Sequence, residues 1–119
     1  MNSIRRFAMV CLLLAGVVWG ADVNGKWTGS MVLDSGEQGT AAVSLKQDGA
    51  TITGTAGPSE DAQFPITKGR IDGEQIVIEA HPGPAVLRFS MKIEGNKLVG
   101  DVFEDDQKIG TISLQRVSQ

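Results

Sequence analysis

Residues 45–56 read LKQDGATITGTA, residues 69–80 read GRIDGEQIVIEA, and residues 91–102 read MKIEGNKLVGDV. Each stretch has an acidic residue and a glycine, then two residues, then isoleucine or leucine. The acid-glycine pairs begin at Asp48, Asp72 and Glu94, so the motif recurs at offsets of 24 and 22 residues. An acid-glycine pair between alternating apolar stretches marks a tight hairpin, because glycine reaches the positive φ that such turns need. A period of this length is two strands and two turns. The chain therefore reads as hairpins in series, not as a helical solenoid.

The flanking residues carry the same period. Trp27, Met31 and Leu33 share one parity, with Thr28, Ser30 and Val32 on the other. Leu87, Phe89, Met91 and Ile93 alternate with Arg88, Ser90, Lys92 and Glu94. Alternation with one polar face describes a half-buried antiparallel strand. No segment after residue 21 keeps a 3.6-residue period over ten positions, so no substantial helix is expected. Strands are predicted at 25–33, 40–47, 50–56, 64–71, 74–80, 85–93, 97–103 and 108–117. The expected fold is all-β, an eight-stranded antiparallel up-and-down meander barrel. An even strand number lets the first and last strands pair, and closure removes both exposed edges. The competing arrangement is a two-sheet β-sandwich.

Composition narrows the function. The chain has 119 residues, 41% apolar and 21% charged, which suits one folded domain. One Cys excludes an intramolecular disulfide framework and a cysteine-based zinc site, and one His excludes a multi-histidine centre. No cofactor or metal is expected. The acidic balance, 14 acids against 11 bases, disfavours nucleic acid as a partner.

Arg5 and Arg6 precede an apolar run over residues 7–19. A basic start followed by such a run is a secretory signal peptide, and the run is shorter than the about 20 apolar residues of a membrane anchor. Small-residue preference places the cut after Gly20. Cys11 sits too early in the run to be a lipid-attachment point. The expected organisation is a signal peptide over 1–20 and a barrel over 21–119, periplasmic or secreted, with no stable membrane insertion after cleavage.

Gly25-Lys-Trp27-Thr-Gly29 opens the first strand, and Gly54-Thr55 ends the hairpin begun at Asp48-Gly49. That run resembles the first three strands of the avidin/streptavidin family. Gly25-x-Trp27 also resembles the lipocalin signature, and both belong to the calycin group of eight-stranded barrels. The lipocalin resemblance implies a basic residue packed over the Trp, a structural latch, and Arg116 is placed to supply it. As motif, the resemblance covers about 30 N-terminal residues of the barrel; as topology, all of it. The biotin site does not carry over, since the barrel has one Trp and the chain no Tyr. The lipocalin C-terminal helix and disulfides are missing. Small periplasmic metalloprotease inhibitors are similar too, as avidin-like barrels that insert an N-terminal segment into the protease cleft; residues 21–24 are the counterpart here, without the usual disulfide.

The hairpin order sorts the loops by end. The acid-glycine turns lie beside the termini. Residues 34–39, 57–63, 81–84 and 104–107 lie at the opposite rim, with Asp34, Glu37, Glu60, Asp61, Glu104, Asp105 and Asp106 and no Lys or Arg. Such a mouth attracts a cationic ligand or a basic protein patch, or else keeps the molecule soluble. A partner is expected there, at Glu37, Glu60, Asp61, His81, Asp105 and Asp106. His81 opens the rigid turn His81-Pro-Gly-Pro84 and has no visible catalytic partner. Glu104-Asp105-Asp106 lacks the ligand spacing of a calcium loop. No catalytic residues are expected, and Phe103 is the one candidate aromatic platform for a sugar. Two functions remain: an exported non-catalytic binding protein for an apolar or cationic small molecule, or a protein-interaction module such as a protease inhibitor. A lined interior cavity of about 300 Å³ or more favours the first and a filled barrel the second.

Overall fold

The computed structural model describes residues 22–117. The expected signal peptide over 1–20 and its expected cut after Gly20 lie outside them. Eight strands run in sequence: β1 (Gly25–Leu33), β2 (Gln38–Asp48), β3 (Thr51–Ser59), β4 (Ala62–Asp72), β5 (Gln75–Ala80), β6 (Leu87–Glu94), β7 (Lys97–Glu104) and β8 (Gln107–Arg116). Each pairs antiparallel with the next, and β8 returns to β1 from Trp27↔Arg116 to Leu33↔Gly110. The sheet is one closed up-and-down barrel, so the two-sheet sandwich is not formed. The described residues contain no helix.

Gly49, Gly73 and Gly95 stand at φ of +64°, +63° and +64°, the first residues of three two-residue turns at the end where the chain enters β1. Closure also needs a site without a side chain. A Cβ on Gly29 would lie 1.9 Å from the Ser113 carbonyl oxygen of β8, so only glycine lets β1 and β8 approach this closely.

The inward positions fill the half of the barrel near the termini. Trp27, Ile52, Ile76, Met91, Leu98 and Leu114 are fully buried there. In β4 the apolar parity changes: Phe64 and Ile66 precede Gly69 and Ile71. A bulge absorbs the change, with Ile66 opposite Ala80 but Lys68 opposite Glu79, leaving Thr67 unmatched. Pro65 sits in the same irregular stretch, where it withdraws one ladder donor.

Two rim segments differ from expectation. Pairing continues to Ser59↔Ala62, so the loop expected over 57–63 shrinks to Glu60 and Asp61. β6 begins at Leu87 rather than Ala85, because Pro82 and Pro84 bring no N–H and the preceding chain forms no ladder. Residues 81–86 are thereby the longest connection among the described residues.

Candidate functional site

The two ends of the barrel are built differently. At the end beside β1's start, Trp27 is fully buried and donates its indole N–H to the Val23 carbonyl at 3.0 Å. The Arg116 guanidinium lies over the indole, 4.3 Å from the ring centroid. Its Nη1 donates to the Asn24 carbonyl (2.6 Å), Nη2 to the Asp22 carbonyl (2.8 Å), and Nε to Asn96 Oδ1 (3.2 Å). Gln47 Oε1 accepts from the Val23 N–H, and Asn24 Oδ1 accepts from the Gln47 N–H. Residues 22–24 are thus stitched across this end as a plug, with Val23 fully buried beneath. The Asp22 carboxyl is held below its ordinary value, first by the Asn24 backbone N–H, then by the Asn24 side-chain amide, with a smaller pull from Arg116.

At the opposite end the barrel is hollow. A cavity of about 210 Å³ enters from the rim, walled by Met31, Ala56, Phe64, Leu87, Phe89 and Ile112. Thr40, Pro58 and Pro82 stand at its mouth. The Thr40 hydroxyl donates to the Pro58 carbonyl at 2.7 Å. Among the described residues no polar or charged side chain is buried. The cavity offers hydrocarbon walls and no hydrogen-bonding group to a guest. It is smaller than the about 300 Å³ typical of a drug-sized site, yet larger than the about 150 Å³ that holds a benzene ring in a protein core.

Glu37, Glu60, Asp61, His81, Asp105 and Asp106 are all exposed around this mouth. They ring it and do not converge on one point, and among the described residues no group of His, Cys, Asp or Glu is placed to hold a metal ion. One expectation needs correction: the rim is not free of bases. Arg88, on the outer face of β6, reaches it and pairs with Asp106 at 2.5 Å. The same guanidinium lies 4.6 Å from the Phe103 ring centroid, so Phe103 is a covered ring and not an open platform for a sugar. Asp105 is also engaged. Its Oδ1 accepts from the Val86 N–H at 3.0 Å, and its own N–H donates to the Val86 carbonyl at 2.9 Å. Arg88 escaped the sequence reading because it lies mid-strand in the chain. The register Arg88↔Phe103, next to Leu87↔Glu104, brings it to the β7–β8 turn.

A closed eight-stranded barrel, plugged at one end and hollow at the other, is a calycin-like barrel in the broad sense. No family model matches the sequence, and no curated protein matches it. Solved structures that share the fold include two of one protein. Both are variants of the fluorescent protein UnaG, one with an asparagine replaced by alanine and one with it replaced by glutamine. The first is 18% identical, with a TM-score of 0.51, covering 86% of this chain and 99% of its own. The second is 14% identical, with a TM-score of 0.50, covering 82% and 97%.

Proposed function

We propose that this protein is an exported, non-catalytic binding barrel that takes the apolar end of a small molecule into its open half. The observation that carries this reading is the 210 Å³ cavity, which falls short of the about 300 Å³ expected of a small-molecule binder but leaves the barrel unfilled. Burying hydrocarbon in it gains roughly 25 cal/mol per Å² removed from water. Burying a polar atom there, with no partner in the walls, costs about 1–3 kcal/mol. The guest's inserted part is therefore a plain ring or a short alkyl group, with its head left at the rim. The lipocalin resemblance suits this reading better than the avidin one, since the cavity lacks the polar ring that biotin binding uses in that family. The interaction-module alternative draws less support: residues 22–24 are fastened into the plug and do not project as an arm.

Benzene, titrated into the protein and followed through the cavity methyl resonances, tests the reading directly. Wild type should bind it. Ala56→Leu, which puts three heavy atoms into the cavity, should abolish binding without loss of fold. Saturation of neither protein would overturn the cavity reading. Native mass spectrometry of protein purified from its own periplasm or medium then identifies the natural guest.

A further inference from the structure

The chain from His81 to Ala85 makes up most of the longest rim connection among the described residues. Among the described residues, none of these five gives or takes a hydrogen bond. Two of them, Pro82 and Pro84, have no N–H to give. The first four are exposed, yet Pro82 also lines the cavity mouth. The segment is thus a short strap laid over the opening, held by its two ends and by one apolar contact.

Its first end is Ala80, paired with Leu87 in the ladder. Its second end is Val86, which belongs to no strand and is fastened by Asp105 alone through two reciprocal hydrogen bonds. Asp105 sits at φ +50° and Asp106 at φ +70°, the only described residues other than glycine with positive φ. A two-residue turn of this shape favours Asn-Gly or Gly-Gly. Aspartate at both positions leaves the backbone less comfortable but supplies two carboxylates. One holds Val86, and the other holds Arg88. Both act on the chain that leaves the strap.

We infer that the strap His81–Ala85 is the lid of the cavity, and that Asp105 is the residue that positions it. This rests on the binding reading above. A segment with no hydrogen bonds of its own opens at little free-energy cost. Lifting Pro82 widens the mouth between Pro58 and Leu87, so a guest enters and leaves by movement of the strap while the barrel stays closed. Asp105 sets how long the lid stays down, and therefore governs the rates of exchange more than the affinity.

The experiment compares wild type, Asp105→Gly and Asp105→Asn, with benzene as the probe. Glycine suits the positive φ and removes the acceptor. Asparagine also tolerates that φ and keeps an oxygen for Val86. Asp105→Gly should speed both binding and release of benzene, each by about threefold to tenfold, the order of one lost hydrogen bond, while its dissociation constant stays within about threefold of wild type. Asp105→Asn should exchange at the wild-type rate. A readout without ligand runs alongside: nuclear Overhauser contacts from the Pro82 ring to cavity methyls should weaken in Asp105→Gly and persist in Asp105→Asn. Wild-type rates in Asp105→Gly, or unchanged Pro82 contacts, overturn the lid. Failure of wild type to bind benzene, with Pro82 contacts responding as stated, overturns the cavity reading and leaves Asp105 as the positioning residue of the strap.

Discussion

Arg116 joins parts of the chain that lie far apart in sequence. One guanidinium covers Trp27, holds the carbonyls of Asp22 and Asn24, and reaches Asn96 on the β6–β7 turn. A cation over an indole and charge-assisted hydrogen bonds to carbonyls each contribute on the order of 1 kcal/mol. Arg116→Ala should therefore lower unfolding stability by about 2 kcal/mol, read by denaturant titration. Trp27 emission should move to the red as water reaches the indole. Arg116→Lys keeps the charge but loses the planar fork, and should recover less than half of the loss. Asp22 adds a pH dependence of known sign. Its carboxyl titrates lower in the folded protein than in the unfolded chain, so its contribution is present above the unfolded value near 4 and disappears as pH falls through the folded value. Asp22→Asn should flatten the stability curve in that acid range, so that the variant is less stable than wild type at neutral pH and matches it at low pH. The pairing of Arg116 with Trp27 was legible from Gly25-x-Trp27 and from the geometry of a closed meander. The stitching of residues 22–24 was not, because hydrogen bonds from Gln47 and Arg116 leave no periodic trace in the sequence.

Strands were legible because their alternation is set by burial on one face, and turns because glycine marks the positive φ. Where other forces prevail, the boundaries moved. The β3–β4 ladder runs on past Gly57 and Pro58 to Ser59↔Ala62, helped by Gln63, whose amide donates to the carbonyls of Ala42 and Ser59 and whose Oε1 accepts from the Thr55 hydroxyl. Side-chain hydrogen bonds of this kind are invisible to patterning. The β7–β8 turn has no glycine at all. The close approach of β1 and β8 supplies a test at this scale. Gly29→Ala would drive a methyl into the Ser113 carbonyl, with Leu114 Cα at 2.8 Å behind it. Neither atom belongs to a flexible side chain, so the strands must separate. The expected cost is about 3 kcal/mol or more, with loss of amide protection concentrated on β1 and β8. Gly39→Ala is the control. Nothing lies within 4 Å of a Cβ there, and the change should stay within about 0.5 kcal/mol.

At the scale of the whole molecule, the barrel divides its labour by end. The large side chains of Trp27, Leu98 and Leu114 fill the plugged half, whereas Ala41, Ala56 and Ala80 leave room near the mouth. The volume left over is a small difference between the enclosed space and the side chains in it. That is why the sequence, which shows which residues face inward, could not show whether they fill the interior. Charge at the mouth then decides which heads a guest can carry. Asp105 and Asp106 are engaged by Val86 and Arg88, so neutralising them would disturb the strap as well as the potential. Glu37, Glu60 and Asp61 form no ion pair among the described residues and can be changed for charge alone. A unit charge about 8 Å away in water is worth roughly 0.5 kcal/mol, attractive for a cation and repulsive for an anion, so three together separate the two heads by about 3 kcal/mol, on the order of a hundredfold. Phenethylammonium and 3-phenylpropionate present similar rings on oppositely charged heads. Wild type should bind the ammonium on the order of a hundredfold more tightly than the carboxylate at low salt. That preference should shrink as added salt shortens the screening length towards 8 Å and below. The triple variant Glu37→Gln, Glu60→Gln, Asp61→Asn should lose most of that preference and of its salt dependence, and should keep its affinity for benzene. Equal binding of the two heads by wild type would show that these acids serve solubility and leave the choice of guest to the cavity alone.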